Sequence, residues 1–241
     1  MTLQWTTTQQ AAQQHGVKML VYGDAGVGKT VLCATAPRPV ILSAEAGLLS
    51  LRKENLERLY GVGAQGVTCD IPVVQVTTVQ QLSEALALLA TPQAREQFST
   101  VCVDSLSEIA EVVLSNAKQM HKDPRKAYGD LIEQVEAFVR AVRDLPGYHV
   151  YVSAKLSYSK DDDGVTRAGP SAPGAKLGPA LPYYFDEVFR LGIATDQGNK
   201  YRFLQTDGDL KYVAKDRSGA LAQLEPPHLG HIISKINGET P

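Results

Sequence analysis

The sequence predicts an α/β fold, a mostly parallel, twisted sheet flanked by helices, with an antiparallel meander at its C-terminal end. Three observations lead there. Short apolar runs alternate with segments of helical periodicity along most of the chain. The first run, Val17 to Tyr22, passes through Gly23-Asp24-Ala25-Gly26-Val27-Gly28-Lys29-Thr30 into a helix beginning near Lys29, and the octet fits Gly-x4-Gly-Lys-Ser/Thr at every fixed position. Late in the chain, Glu187–Ile193, Tyr201–Thr206 and Leu210–Ala214 read as strands joined by Asp-Gln-Gly-Asn and Asp-Gly-Asp turns.

Taken in order, residues 1–16 are a polar, Gln-rich extension, bearing the only tryptophan, Trp5, and expected to pack on the core or on a neighbouring subunit. The domain proper spans 17–224, and 225–241 reads as a Pro-rich polar tail. After the Gly-rich loop a helix runs to Ala36, where Pro37 and Pro39 end it. Val40–Ser43 is a buried strand that delivers Glu45. Gly47–Tyr60 reads as one helix with Leu48, Leu49, Leu51, Leu56 and Leu59 inward, and a Gly-rich loop follows. Val73–Val76 is a third strand. Thr78 caps a helix over Val79–Ala90, and Pro92 closes that unit. Thr100 to Ser105 is an apolar strand ending in an acid and a hydroxyl, followed by a helix over about Leu106–Met120. A basic connector, His121 to Lys126, leads to a helix over about Asp130–Asp144. Tyr148–Lys155 is again a strand. Ser157–Pro182, rich in Gly, Pro and Ala, reads as a long functional loop.

The 241 residues are 44% hydrophobic, enough for one α/β domain with a full core. A net charge of −2 excludes a globally basic nucleic-acid coat, so any such binding must use local patches. The three cysteines lack metal-ligand spacing and read as buried thiols in a reducing cytosol. With no signal peptide and no apolar run of bilayer length, a soluble cytoplasmic protein that contacts no membrane is expected.

The octet carries the chemistry. Gly23, Asp24, Ala25, Gly26, Val27, Gly28, Lys29, Thr30 and Val31 suit a loop whose backbone N–H groups wrap a phosphate chain, at the positive end of a helix. Lys29 would reach the β- and γ-phosphates, and the Thr30 hydroxyl would ligate magnesium, so ATP and Mg2+ are the expected cofactors. Asp104 is the second acidic element such a site needs, holding the metal with Ser105 beside it. Asp at a strand end is also a common helix cap. Glu45, at a strand end in the same row, is the candidate general base on water, and an exposed first-turn carboxylate is its bland alternative. Ser153 and Lys155 end another strand in that row and could sense the γ-phosphate.

The stretch Ile41 to Leu48 resembles the RecA segment in which a strand delivers the catalytic glutamate. Ala214-Lys215-Asp216-Arg217-Ser218-Gly219 is similar to the Lys-x-Arg-x-Gly element of RadA and DnaB-type motors, whose cations reach the neighbouring subunit's site. The order of these motifs over about 17–220 resembles a RecA-like P-loop NTPase core, and the compact layout that of phage Sak-type single-strand-annealing ATPases. The resemblance implies an ATPase stimulated by single-stranded DNA and active in phage recombination. It implies a homo-oligomer, ring or filament, with ATP at subunit interfaces, Lys215 and Arg217 acting across them, and a single-strand-binding protein as an optional partner. It also implies two DNA-facing segments. Lys118, Lys122, Arg125 and Lys126 suit backbone phosphates in the first. Lys160, Arg167 and Lys176 lie in the second, where Asp161-Asp162-Asp163 would repel phosphates, and each segment also suits an ordinary solvated connector. Tyr128 and Tyr158 are the aromatics placed to stack on bases. A helicase loader gated by nucleotide, and a phosphotransferase acting on a small substrate, remain the alternatives.

Overall fold

Strand β1 (Lys18–Gly23) is buried along its whole length, which is why it reads as a nearly continuous apolar run. Met19 and Val21 point into one core, Leu20 and Tyr22 into the other, as the two-residue period of a strand requires. In the computed structural model, which describes residues 5, 7–8, 15–45, 47–160 and 164–239, this strand is central to a ten-stranded sheet. The other strands are β2 (Pro39–Ser43), β3 (Val73–Gln75), β4 (Thr100–Asp104), β5 (His149–Lys160), β6 (Thr166–Ser171), β7 (Glu187–Asp196), β8 (Asn199–Gln205), β9 (Lys215–Asp216) and β10 (Leu224–Glu225). The order is β10-β8-β7-β1-β5-β4-β2-β3, with β6 on the far half of β5 and β9 on the start of β7. From β7 to β3 neighbours run parallel, whereas β8, β10, β6 and β9 pair antiparallel. The expected α/β architecture, mostly parallel with antiparallel strands late in the chain, is the one observed.

Helices cover both faces. On one side α3 (Val79–Leu89), α5 (Leu106–Met120) and α6 (Pro124–Arg143) bury Leu82, Ile109, Val113, Leu131, Val135 and Phe138 against the sheet. Thr78 caps α3 in a full capping box with Gln81, as the sequence predicts. On the other side lie α1 (Lys29–Leu32), α2 (Lys53–Tyr60) and α8 (Leu229–Ile236). Burying each large aliphatic side chain contributes about 1.5–3 kcal/mol, so these two stripes hold the layers together.

Several expectations are corrected. The helix after the Gly-rich loop is one α-turn that tightens into a 3-10 segment at Cys33–Thr35, and Pro39 opens β2 instead of ending the helix. Gly47–Tyr60 divides into a 3-10 segment (Leu48–Leu51) and α2, with Leu49 and Leu59 exposed. Pro92 opens a short helix, α4 (Pro92–Gln97), at the first position, where its missing N–H costs nothing. Pro124 does the same for α6, so the basic connector shrinks to residues 121–123 and Arg125 and Lys126 stand in the helix's first turn. The segment 157–182 is not an irregular loop. It contains the outer half of β5, β6, the helical turn α7 (Leu177–Ala180) and a 3-10 segment. Leu210–Ala214 forms no strand, and Leu210 is exposed. Cys33 and Cys102 are buried as expected, whereas Cys69, in the loop before β3, is exposed.

The stretch read as a polar tail holds β10 and α8, whose Leu229, Ile232 and Ile233 are buried at helical spacing. Trp5 is fully exposed, so it does not pack on the core. Asp161-Asp162-Asp163 and most of 1–14 lie outside the described residues. Among the described residues no helix is long and apolar enough to cross a membrane.

Candidate active site

The parallel strands end at one edge of the sheet, and a cleft of about 860 Å³ opens above it. Its floor is the loop from Gly23 to Thr30. Gly26 and Gly28 adopt φ of 74° and 111°, left-handed conformations that disfavour a side chain, so the loop can turn its N–H groups inward. Gly23 is required for a different reason than phosphate approach, because a Cβ there would sit 2.6 Å from the Leu191 carbonyl of β7. Lys29 Nζ donates to the carbonyls of Gly23 and Asp24, both at 2.8 Å, so its ammonium is folded over the loop. Burial lowers its pKa, against the opposing pull of Asp104 and Glu45.

The hydroxyl of Thr30 donates to Asp104 Oδ2 at 2.7 Å, bringing the loop's last residue onto the end of β4. Asp104 is 4% exposed, and its other oxygen accepts from Ser153 Oγ at 2.5 Å. Two hard oxygen donors side by side at the loop's end suit a magnesium ion that takes its remaining ligands from phosphate and water. Ser153, at 0% exposure, is thereby a partner of Asp104 and not a group facing the cleft. The Asp104–Ser105 peptide is cis. Ser105 caps α5 by accepting from Glu108 N, and it donates to Glu45 Oε1 at 2.9 Å. Glu45 lines the cleft, as do Ser105 and Lys155. Thus Lys29, Thr30, Glu45, Asp104 and Lys155 come together, contributed by four strand ends.

Other groups at this site were not legible in the sequence. Because α1 tightens, Cys33 N bonds Thr30 O and Val31 O, and the Lys29 carbonyl is taken instead by Tyr151 Oη at 2.7 Å. Tyr151 is fully buried. The β7–β8 hairpin runs beside β1 and past the loop, so Lys200, Tyr201 and Arg202 line the cleft, and Arg202 Nε donates to Val27 O at 2.8 Å. Asn55, Arg58, Tyr60 and Pro227 also line the cleft. Asn55 donates to Ser50 O and accepts from Arg58, both at 2.6 Å, which fixes the guanidinium. Strand order brings Arg202 here: β7 borders β1 and carries β8 past the loop.

Lys215 and Arg217 do not line this cleft. Strand β9 pairs with Glu187 and Val188, at the start of β7 and hence at the other end of the sheet from the loop. Lys215 Nζ donates to Pro182 O at 2.8 Å, and Arg217 pairs with Asp186 at 2.9 Å. Of the cations expected to meet DNA, Lys118, Lys122, Arg125, Lys126, Lys160 and Lys176 are exposed and Arg167 is half-buried. Lys118 lies over the Tyr128 ring, 6.0 Å from its centre, and Gly174 approaches that ring so closely that a Cβ would lie 3.4 Å from it. The α5–α6 corner and the segment bearing Lys176 therefore adjoin.

A family described as AAA domain matches residues 15–218. No curated protein matches the sequence. Among solved structures, a KaiC-like protein from the hyperthermophilic archaeon Pyrococcus horikoshii OT3 is 15% identical, covering 79% of this chain and 77% of that one, with a TM-score of 0.43.

Proposed function

Because the chain belongs to this family of AAA domains, a family of nucleotide hydrolases, we propose that it hydrolyses ATP with magnesium in the cleft above β1 and couples turnover to single-stranded DNA, in annealing or strand exchange. One observation carries the hydrolytic part: Thr30 touches Asp104 while Ser105, the next residue, holds Glu45. Loop, metal ligands and base are thereby locked to one another. The loop's N–H groups and the Lys29 ammonium bind the phosphates, and magnesium, held by Thr30 and Asp104, supplies charge neutralisation when bound. Glu45, oriented by Ser105, accepts a proton from the attacking water. Tyr60, Arg58, Pro227 and Tyr201 suit the base and ribose.

The DNA part rests on the exposed cations Lys118, Lys122, Arg125, Lys126, Lys160 and Lys176, with Tyr128 between Lys118 and the turn at Gly174 that precedes Lys176. A homo-oligomer in which Lys215 and Arg217 enter a neighbour's site is part of the same reading, and their distance from the chain's own cleft supports it. A phosphotransferase would carry a cationic lid over 157–182, and Arg167 is the one arginine in that segment. The deciding experiment is the ATPase rate with and without single-stranded DNA. Strong stimulation is expected, and indifference to DNA would transfer the ATPase to a loader or a small-substrate enzyme.

A further inference from the structure

Among the described residues, Lys155 is the one lysine of the cleft engaged by a carboxylate, that of Glu108 in the first turn of α5. Its backbone cannot shift freely. Lys155 N donates to Ser107 Oγ at 3.0 Å, and the same hydroxyl donates to Ser171 O at 2.6 Å, on the residue that pairs with Lys155 across the β5–β6 hairpin. Ser107 thus pins the root of the hairpin. What remains movable is the lysine's side chain, an arm on a fixed base with Glu108 on one side and the triphosphate end of the cleft on the other.

Resting on the nucleotide reading above, we propose that Glu108 is a positioning residue that competes with the γ-phosphate for Lys155. In the resting chain Glu108 holds the ammonium. A bound triphosphate draws it away, and a diphosphate, lacking the third phosphate, leaves the Lys155–Glu108 pair intact. Glu108 thereby sets how strongly the site prefers triphosphate over diphosphate. The hydrogen bond to Glu108 also raises the pKa of Lys155, with Glu45 adding to the effect, so the lysine is charged in the resting pair and lies near the base. Its field in turn opposes the charge on Lys29, which places both ammonium groups at the same end of the cleft. The Lys155 side chain is 55% exposed and that of Glu108 31%, so solvent screens the pair and the exchange is cheap. A carboxylate in a first helical turn also favours the helix dipole, and that role alone would not depend on Lys155.

The test measures equilibrium affinities of the full chain, with magnesium, for a non-hydrolysable triphosphate and for the diphosphate. Glu108→Gln is expected to tighten triphosphate binding by about two- to fivefold, the range of a screened ion pair, with the diphosphate unchanged. In a Lys155→Met background the same substitution is expected to change neither affinity. Equal tightening of both nucleotides, no change in triphosphate affinity, or an effect that persists without Lys155 would overturn the competition while leaving the nucleotide site standing. A parent chain that binds neither nucleotide would instead overturn the reading beneath it.

Discussion

Tyr151→Phe removes one oxygen atom from a fully buried side chain and nothing else. That oxygen serves the Lys29 carbonyl, which lost its usual i+4 partner when α1 tightened into a 3-10 segment. Leaving this part-buried carbonyl unmatched costs about 1 kcal/mol, so the variant should unfold at measurably lower urea concentration with an unchanged slope. A matched control exists in Tyr148, whose hydroxyl donates to Leu89 O at 2.9 Å, also in the interior but far from the cleft. Tyr148→Phe should cost a similar amount of stability. The two should part in binding. Tyr151→Phe loosens the turn that carries Lys29 and Thr30, and triphosphate affinity should fall about three- to tenfold, equivalent to ~0.7–1.4 kcal/mol. Tyr148→Phe should leave that affinity unchanged. Equal affinities in the two variants, or a stability loss below about 0.5 kcal/mol for Tyr151→Phe, would refute the claim that this hydroxyl braces the loop.

Glu45→Gln keeps an oxygen for Ser105 to bond but no longer accepts a proton, so nucleotide affinity should hold while phosphate release falls by a factor on the order of 10²–10⁴. Glu187, 1% exposed, has its pKa pushed up to about 8 by burial and by the neighbouring Asp216. The folded state then binds more protons than the unfolded chain between the ordinary carboxylate range and pH 8, so this group's contribution to stability falls as pH rises through that window. Glu187→Gln should remove that fall, up to ~1.4 kcal/mol per pH unit, in melts recorded from pH 5 to 9, and an identical slope in the variant would show that Glu187 is ionised in the fold. Arg217→Ala should bind nucleotide and fail to hydrolyse it, and mixing it with Glu45→Gln should restore some turnover. No recovery in demonstrated mixed oligomers would count against action across an interface.

What was legible in the sequence was what is local. The Gly23–Thr30 octet fixes a loop by itself, and strands buried on both faces advertise themselves as apolar runs, as with β1 and β4. The hairpin of β5 and β6 hid because the end of β5 is exposed at Tyr158, Ser159 and Lys160, and because β6 carries Gly169 and Pro170, residues that suit a loop. The start of α6 hid behind Pro124 and two cations, which suit a first helical turn as well as a connector. α8 hid because it is short and follows two prolines. The contacts that make the site join residues distant in sequence: Ser105 to Glu45, Ser153 to Asp104, Tyr151 to Lys29 and Arg202 to Val27. Each follows only once the order β8-β7-β1-β5-β4-β2 is known.

The central claim, that the loop above β1 is the seat of triphosphate hydrolysis, is tested most directly by phosphate release from ATP with magnesium by the parent chain and by Lys29→Ala. The parent should release phosphate, and the variant, without the ammonium that folds over the loop, should release none above background. Release at the parent rate by Lys29→Ala would place the chemistry elsewhere.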